Sequence, residues 1–336
     1  MPNAALGLLL LIVAGVMNAS FALPMKYTRK WAWENTWLMW SIYALLLLPP
    51  LFAALTIPHL GDVYAHAGNG IIIAVVLFGA GWGIAQVLFG LALDIIGIAL
   101  TFSIVLGLSA AMGSLIPLVR LHRDQIFTHA GLTAIAGIAL VVLGVTVCAI
   151  AGRMREKTTA VSARSNVPFA RGLAIAIASG ICASMMNFGV AFGGPLISAA
   201  TAEGAKPYWT VNSIWFPLML GGAVPNVLYC IYLLRKNKSS PRFHSPGTSS
   251  HWLLALVMAC FWFGSSLLYG AAIGMLGSLG AVLGWPLFMS LIVIVATIIG
   301  VVAGEWKGAG SNPLRVQFAA VAVLVLAVVV LSRASF

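Results

Sequence analysis

Two short patterns of aromatic and polar residues hold the best candidates for chemistry in this chain. Trp82, Gln86 and Phe89 stand at i, i+4 and i+7, and Trp262, Ser266 and Tyr269 repeat that spacing. On a helix each set forms one face. Such a face suits a sugar: rings cover its apolar C–H surface, while amides and hydroxyls pair with its hydroxyl groups. Any single ring of this kind is at least as often a packing residue. Trp82 and Trp262 lie near the centres of apolar runs, and that position favours binding for these two. Asn18 and Asn187 add two amides, each preceded by Met and followed by a proline, Pro24 or Pro195. A lipid-facing asparagine is unfavourable, so each is expected to bond a neighbouring helix or to line a cavity. The prolines free backbone carbonyls, as happens where transporter helices break.

The absence of charge narrows the solute. A charged group at a helix centre costs about 2.5–3.5 kcal/mol on insertion scales and normally marks function. No Lys or Arg lies between Lys30 and Arg120, or between Arg242 and Lys307. A carrier of phosphates or other anions would present a basic group at depth, and a small exporter of cations a carboxylate in the first run. Neither is present, so a neutral polar solute is favoured. The six histidines, His59, His66, His122, His129, His244 and His251, fall between apolar runs or at their ends. No nucleophile and base therefore share the interior, which argues against an intramembrane enzyme. Among the carboxylates, only Asp94 sits between two adjoining apolar runs, eight residues from Gln86 or roughly 12 Å along a helix. It is the candidate for proton coupling, against the plainer reading of an exposed loop carboxylate. Glu34 and Glu305 are expected to pair with Lys30, Lys307 or another nearby base. Cys148, Cys182, Cys230 and Cys260 show no CxxC spacing and read as small hydrophobes, so neither a disulfide framework, a metal site nor a cofactor is implied.

The elements that must position these residues follow from composition. The chain has 336 residues, 61% hydrophobic and 7% charged, where soluble domains carry about a quarter charged. A soluble fold would expose large apolar surfaces to water, so the soluble classes are excluded. A spanning helix needs about 20 mostly apolar residues. Ten such runs are present, at 3–24, 36–58, 69–92, 95–119, 129–151, 172–198, 208–234, 252–275, 277–303 and 314–332. The expected fold is an all-α integral membrane protein with ten transmembrane helices. The first run is expected to be a span and not a cleaved signal, since no Lys or Arg precedes it. Trp37, Trp40, Trp209 and Trp306 lie near run ends and are expected in interfacial belts.

The net charge of +11 does not point to nucleic acid, because the basic residues sit in short clusters between apolar runs. With the N-terminus outside, the inner side holds Lys26, Arg29, Lys30, Arg153, Arg155, Lys157, Arg164, Arg171, Arg235, Lys236, Lys238, Arg242, Lys307 and Arg315. Those are fourteen of the eighteen. Arg120, Arg123, Lys206 and Arg333 stay outside. Positive residues gather on the cytoplasmic side, so both termini are expected to be periplasmic, with the basic loops against the anionic inner leaflet. The matched patterns lie five runs apart, an offset that reverses membrane direction. They imply two inverted five-helix repeats, 1–151 and 172–336, joined by a cytoplasmic linker at 152–171.

Three stretches, PMKYTRKWAWE (Pro24–Glu34), LFGAGWGIAQVLFGLAL (Leu77–Leu93) and EWKGAGSNPLRV (Glu305–Val316), resemble the bacterial L-rhamnose–proton symporter family of the drug/metabolite transporter superfamily. Their order and distances cover essentially the whole chain. The resemblance implies the ten-helix inverted-repeat fold, an inner-membrane location and import of a deoxysugar with protons. A proton gradient would supply the driving force. The residues themselves also admit an exporter or facilitator of another neutral or zwitterionic metabolite. They set no oligomeric state. The charge distribution makes a direct prediction about sidedness. A cysteine introduced at position 64 should react with an impermeant reagent added to intact cells, and one at position 160 should not; labelling of 160 from outside refutes the topology.

Overall fold

A computed structural model describes residues 3–158, 168–304 and 306–334, the side chains of 98, 99, 157 and 158 excepted. Much of the expected 152–171 linker, including Arg164, and Glu305 lie outside the described residues. Among the described residues, ten helices are long and apolar enough to cross a membrane: Ala4–Tyr27, Trp33–Thr56, Asn69–Ile96, Leu100–Leu121, His129–Glu156, Phe169–Ala202, Asn212–Lys236, Ser249–Met275, Gly280–Val302 and Ser311–Arg333. They are spans 1 to 10 below. By alternation, the end of the bundle where span 1 finishes and span 2 begins collects those of the fourteen basic residues that are described; we call it the basic end.

All ten expected runs are helices, with shifted ends. Span 2 begins at Trp33 instead of 36 because the Asn35 side chain accepts the Ala32 N–H at 3.1 Å. That bond satisfies a helix-end donor, a local effect that hydropathy does not register. Where the sequence offers almost no polar loop, glycine makes the turn. Gly97 alone separates the helix ending at Ile96 from the one resuming at Ile98, and its φ of +83° is a conformation that L side chains rarely adopt. Gly277, at φ +81°, serves the connection between spans 8 and 9. Asp94 accordingly stays within the last turns of span 3.

Three spans are irregular. Span 1 tightens into a 3-10 turn at Leu23–Tyr27, which contains Pro24. Span 6 is interrupted at Ser184 and Gly193, with Pro195 in the first turn after the second break. Both prolines singled out in the sequence thus fall at breaks. Span 2 widens into a π turn at Ile42–Leu47, just before Pro49.

The spans pack in matched pairs. Span 1 lies on spans 8 and 9, as span 6 lies on spans 3 and 4; span 3 packs on span 7 as span 8 does on span 2; spans 5 and 10 pair with each other. Leu55, Leu77 and Val302 are largely exposed on the outside of the bundle, as side chains facing lipid would be. The seam between spans 3 and 7 depends on missing side chains. A Cβ on Gly79 would collide with the Leu218 carbonyl oxygen, and one on Gly221 with that of Val76. These helices therefore touch backbone to backbone, the approach that small residues allow in membranes. Gly79→Leu should overpack this seam and cost about 1–3 kcal/mol or more, whereas Gly90, with open space where its Cβ would be, should tolerate Ala. Thermal unfolding of the two purified variants checks the contrast.

Candidate substrate site

Trp82 sits at the middle of span 3 and Trp262 at the middle of span 8. Their rings stack on each other with centroids 5.3 Å apart and planes 26° from parallel. Trp82 can lie flat here because Gly222 of span 7 has no side chain; a Cβ there would meet the Trp82 ring at 2.7 Å. Trp262 is edge-on to Trp40 at 5.2 Å. Trp40 lies 4.4 Å from Trp37, and Trp37 stacks on Trp33 at 5.1 Å. Phe21 of span 1 closes against Trp40 at 5.8 Å. Polar groups fix this row. The Trp37 Nε1–H donates to Asn226 Oδ1 at 3.1 Å, and the Asn226 amide donates to the Gly222 carbonyl at 2.9 Å. Asn18 Nδ2 donates to Ser265 Oγ at 3.0 Å. The Ser265 and Ser266 hydroxyls both donate to the Trp262 carbonyl, at 2.6 and 3.3 Å. Gln86, one turn from Trp82, is half-buried and makes no hydrogen bond among the described residues.

Tyr269 and Asn187 form a separate cluster. Tyr269 is seven residues from Trp262, roughly 10 Å along the helix, and is fully buried. Its hydroxyl donates to Asn187 Oδ1 at 2.6 Å, and Asn187 Nδ2 donates to the carbonyls of Gly113 at 2.7 Å and Ala281 at 3.0 Å. One amide thereby joins spans 4, 6, 8 and 9. Phe288 stacks on Tyr269 at 5.2 Å. A cleft of about 220 Å³ lies above this junction, away from the basic end, lined by Val190, Ala191, Ile273, Ala281 and Val282 among others. Small-molecule sites usually measure about 300–1,000 Å³, so the cleft has the size of a vestibule. Ala281, whose carbonyl Asn187 holds, belongs to its lining.

The basic end is closed. Ser239 Oγ and Asn237 Nδ2 donate to the buried Glu34 carboxylate at 2.5 and 3.0 Å, and Asn35 Nδ2 donates to the Ser239 carbonyl at 3.1 Å. Lys30 Nζ reaches the Pro246 carbonyl at 2.5 Å. Trp31 packs between Phe243, His251 and Trp252. The expectation that Glu34 pairs with a base is met only at a distance: its hydrogen-bond partners are neutral, because the buried start of span 2 faces the 237–239 turn, while Arg242 interacts with it electrostatically. Asp94 is exposed near this end.

The structure thus brings Trp82 and Trp262 into direct contact, with Ser266 one turn from Trp262 on span 8, Asn18 of span 1 bonded to the neighbouring Ser265, and Gln86 one turn from Trp82 on span 3. It does not bring Asn187 and Tyr269 to them, and the ring contact fills the space between spans 3 and 8. Phe89 packs on Phe102 of span 4 at 4.8 Å, off the expected face. Trp40 is not in an interfacial belt: it is 1% exposed, since span 2 starts early and places it two turns inside. Its signal was present in the sequence, because Trp33, Trp37 and Trp40 share the i, i+4, i+7 spacing used for Trp82.

An all-helical ten-span bundle with uncharged amides and indoles at its centre has the build of a secondary carrier. The family model described as L-rhamnose-proton symport protein (RhaT) matches residues 1–335, and the chain belongs to that family. Among its relatives, the L-rhamnose-proton symporter of Mannheimia succiniciproducens is 28% identical, with 96% of this chain and 95% of the relative aligned. Those of Salmonella gallinarum and Shigella dysenteriae are 27% identical over 97% of both chains.

The two clusters differ in how replacement should act on stability. Tyr269→Phe strands the Asn187 carbonyl oxygen in a buried position, which costs about 1–3 kcal/mol, while Gln86→Ala breaks no hydrogen bond and should leave the unfolding temperature unchanged. Denaturation of the two variants in detergent measures both.

Proposed function

We propose that this protein imports L-rhamnose or a related deoxysugar with protons across a bacterial inner membrane. In this reading the basic end is cytoplasmic, both termini are periplasmic, and 1–151 and 172–336 are inverted repeats about the 152–171 linker. The matched pairing of spans five apart supports the repeat. The observation that carries the substrate class is the uncharged centre, where the unpaired Gln86 amide adjoins stacked indoles. Family membership supports L-rhamnose in particular. The sugar lies beside the Trp82–Trp262 stack, reached by Asn18, Gln86 and Ser266, with its methyl group against the rings. Asn187 and Tyr269 form the barrier between this centre and the periplasmic vestibule. We assign proton exchange to Asp94, at the cytoplasmic end of the helix that carries Gln86. A facilitator of neutral sugars is the second reading, favoured by the lack of any carboxylate near a span centre.

Uptake of labelled L-rhamnose into proteoliposomes, with and without an inward proton gradient, tests the function. Accumulation above the external concentration is expected only with the gradient. Equilibration alone would establish the facilitator, and no uptake would remove the assignment. Asp94→Asn should abolish accumulation and spare exchange. Gln86→Ala leaves a sugar hydroxyl unpaired in a largely dry site and should weaken L-rhamnose binding about 5- to 150-fold. Trp82→Ala should weaken it too, and unchanged affinity in both variants would put the site elsewhere.

A further inference from the structure

Trp40 is 1% exposed, and its indole N–H has no hydrogen-bond partner among the described residues. Buried donors are nearly always bonded, and an exception calls for an explanation. The indoles of Trp37 and Trp285 show the ordinary case, with Nε1 donating to Asn226 and to the Ser109 carbonyl. Trp31 and Trp215 also carry unpartnered indole N–H groups. Trp31 sits with Phe243, His251 and Trp252 at the basic-end seal, and Trp215 lies behind Tyr269; neither is in ring contact with Trp82 or Trp262. Trp40 is in contact with Trp262, on the side away from the vestibule. Ser41, the next residue, has a buried hydroxyl that is also unpartnered, and the π turn Ile42–Leu47 follows at once. Such turns often occur at functional sites.

The surrounding rings give the unpaired donor a setting. Trp82, Trp262, Trp40, Trp37 and Trp33 follow one another at centroid distances of 5.3, 5.2, 4.4 and 5.1 Å. The row starts at mid-span and ends at Trp33, 45% exposed at the basic end. A pyranose moving along it would exchange one ring for the next without losing apolar contact, while its hydroxyls would still need polar partners on the way.

Building on the sugar-carrier reading, we propose that this row is the sugar's track from the centre to the basic end and that Trp40 donates its indole N–H to a sugar hydroxyl. The bonds of Glu34 and Lys30 to the 239–246 segment close the track in this conformation.

The purified full-length protein and L-rhamnose provide the test. Trp40→Phe keeps an aromatic ring and removes the N–H. No protein hydrogen bond is lost, so the variant should fold, with an unfolding temperature lowered only by the smaller buried ring, whereas L-rhamnose affinity should fall about 5- to 150-fold. Benzothienylalanine at position 40 keeps the full ring outline with sulfur in place of N–H, and should show the same loss if Phe packs poorly. Wild-type affinity in either folded variant overturns the role of Trp40. Trp33→Ala, at the exposed end, should slow L-rhamnose efflux from loaded proteoliposomes with equilibrium binding unchanged; an unaltered efflux rate overturns the track. A wild-type protein that binds no L-rhamnose fails at an earlier step, and removes the carrier reading together with this proposal.

Discussion

The Trp82 and Trp262 rings meet face to face at 5.3 Å, and the centre of the bundle is organised around that contact. It joins spans 3 and 8, one from each half of the chain. The contact exists only because Gly222 leaves the Trp82 ring room and Gly79 lets span 7 come close enough to back it. With no charge in the middle of the spans, ring packing and amide bonds hold the interior. Aromatic pairs contribute about 0.5–1.5 kcal/mol each beyond area burial, so the row from Trp33 to Trp82 is a substantial element of cohesion at a place where lipid supplies no hydrophobic drive between helices.

The polar side chains divide into two kinds. Asn187 spends both of its N–H donors and a bond to its carbonyl oxygen on other helices, leaving no donor for a solute. Gln86 and the Trp40 indole N–H remain available, since neither has a hydrogen-bond partner among the described residues. A buried amide satisfied by two carbonyls and a hydroxyl from three other spans specifies packing, whereas an unsatisfied one beside an aromatic surface is available for recognition. The two ends of the molecule differ in the same way. Side chains knit the basic end shut through Glu34, Asn35 and Lys30, while the other end retains a cleft.

Much of this was legible in the sequence. Ten spans follow from run length and composition, since the bilayer sets both. The Trp82–Trp262 relation followed from spacing alone. The partners of Glu34 lie about two hundred residues away, and no local pattern encodes a pairing at that separation. An interhelical bond of Asn187 was expected, but its partners were illegible for the same reason, because backbone carbonyls carry no sequence signature. Trp40 was missed differently. Its spacing from Trp33 and Trp37 met the criterion used elsewhere, but nearness to a run end suggested the interface, and a capping bond at Asn35 had moved that end outward.

The single-residue joint at Gly97 has a mechanical consequence. Spans 3 and 4 cannot separate at the basic end by more than a residue or two of backbone, about 3.3–3.6 Å per residue, so that pair is a hairpin pinned there. Spans 8 and 9 are joined by Leu276–Leu279 and are pinned at the opposite end. Each hairpin is free to splay only where the other is fastened. A scissor built this way assigns the widening of each mouth to a different blade, and the Trp82–Trp262 contact, one ring on each blade, lies midway between the two fastenings.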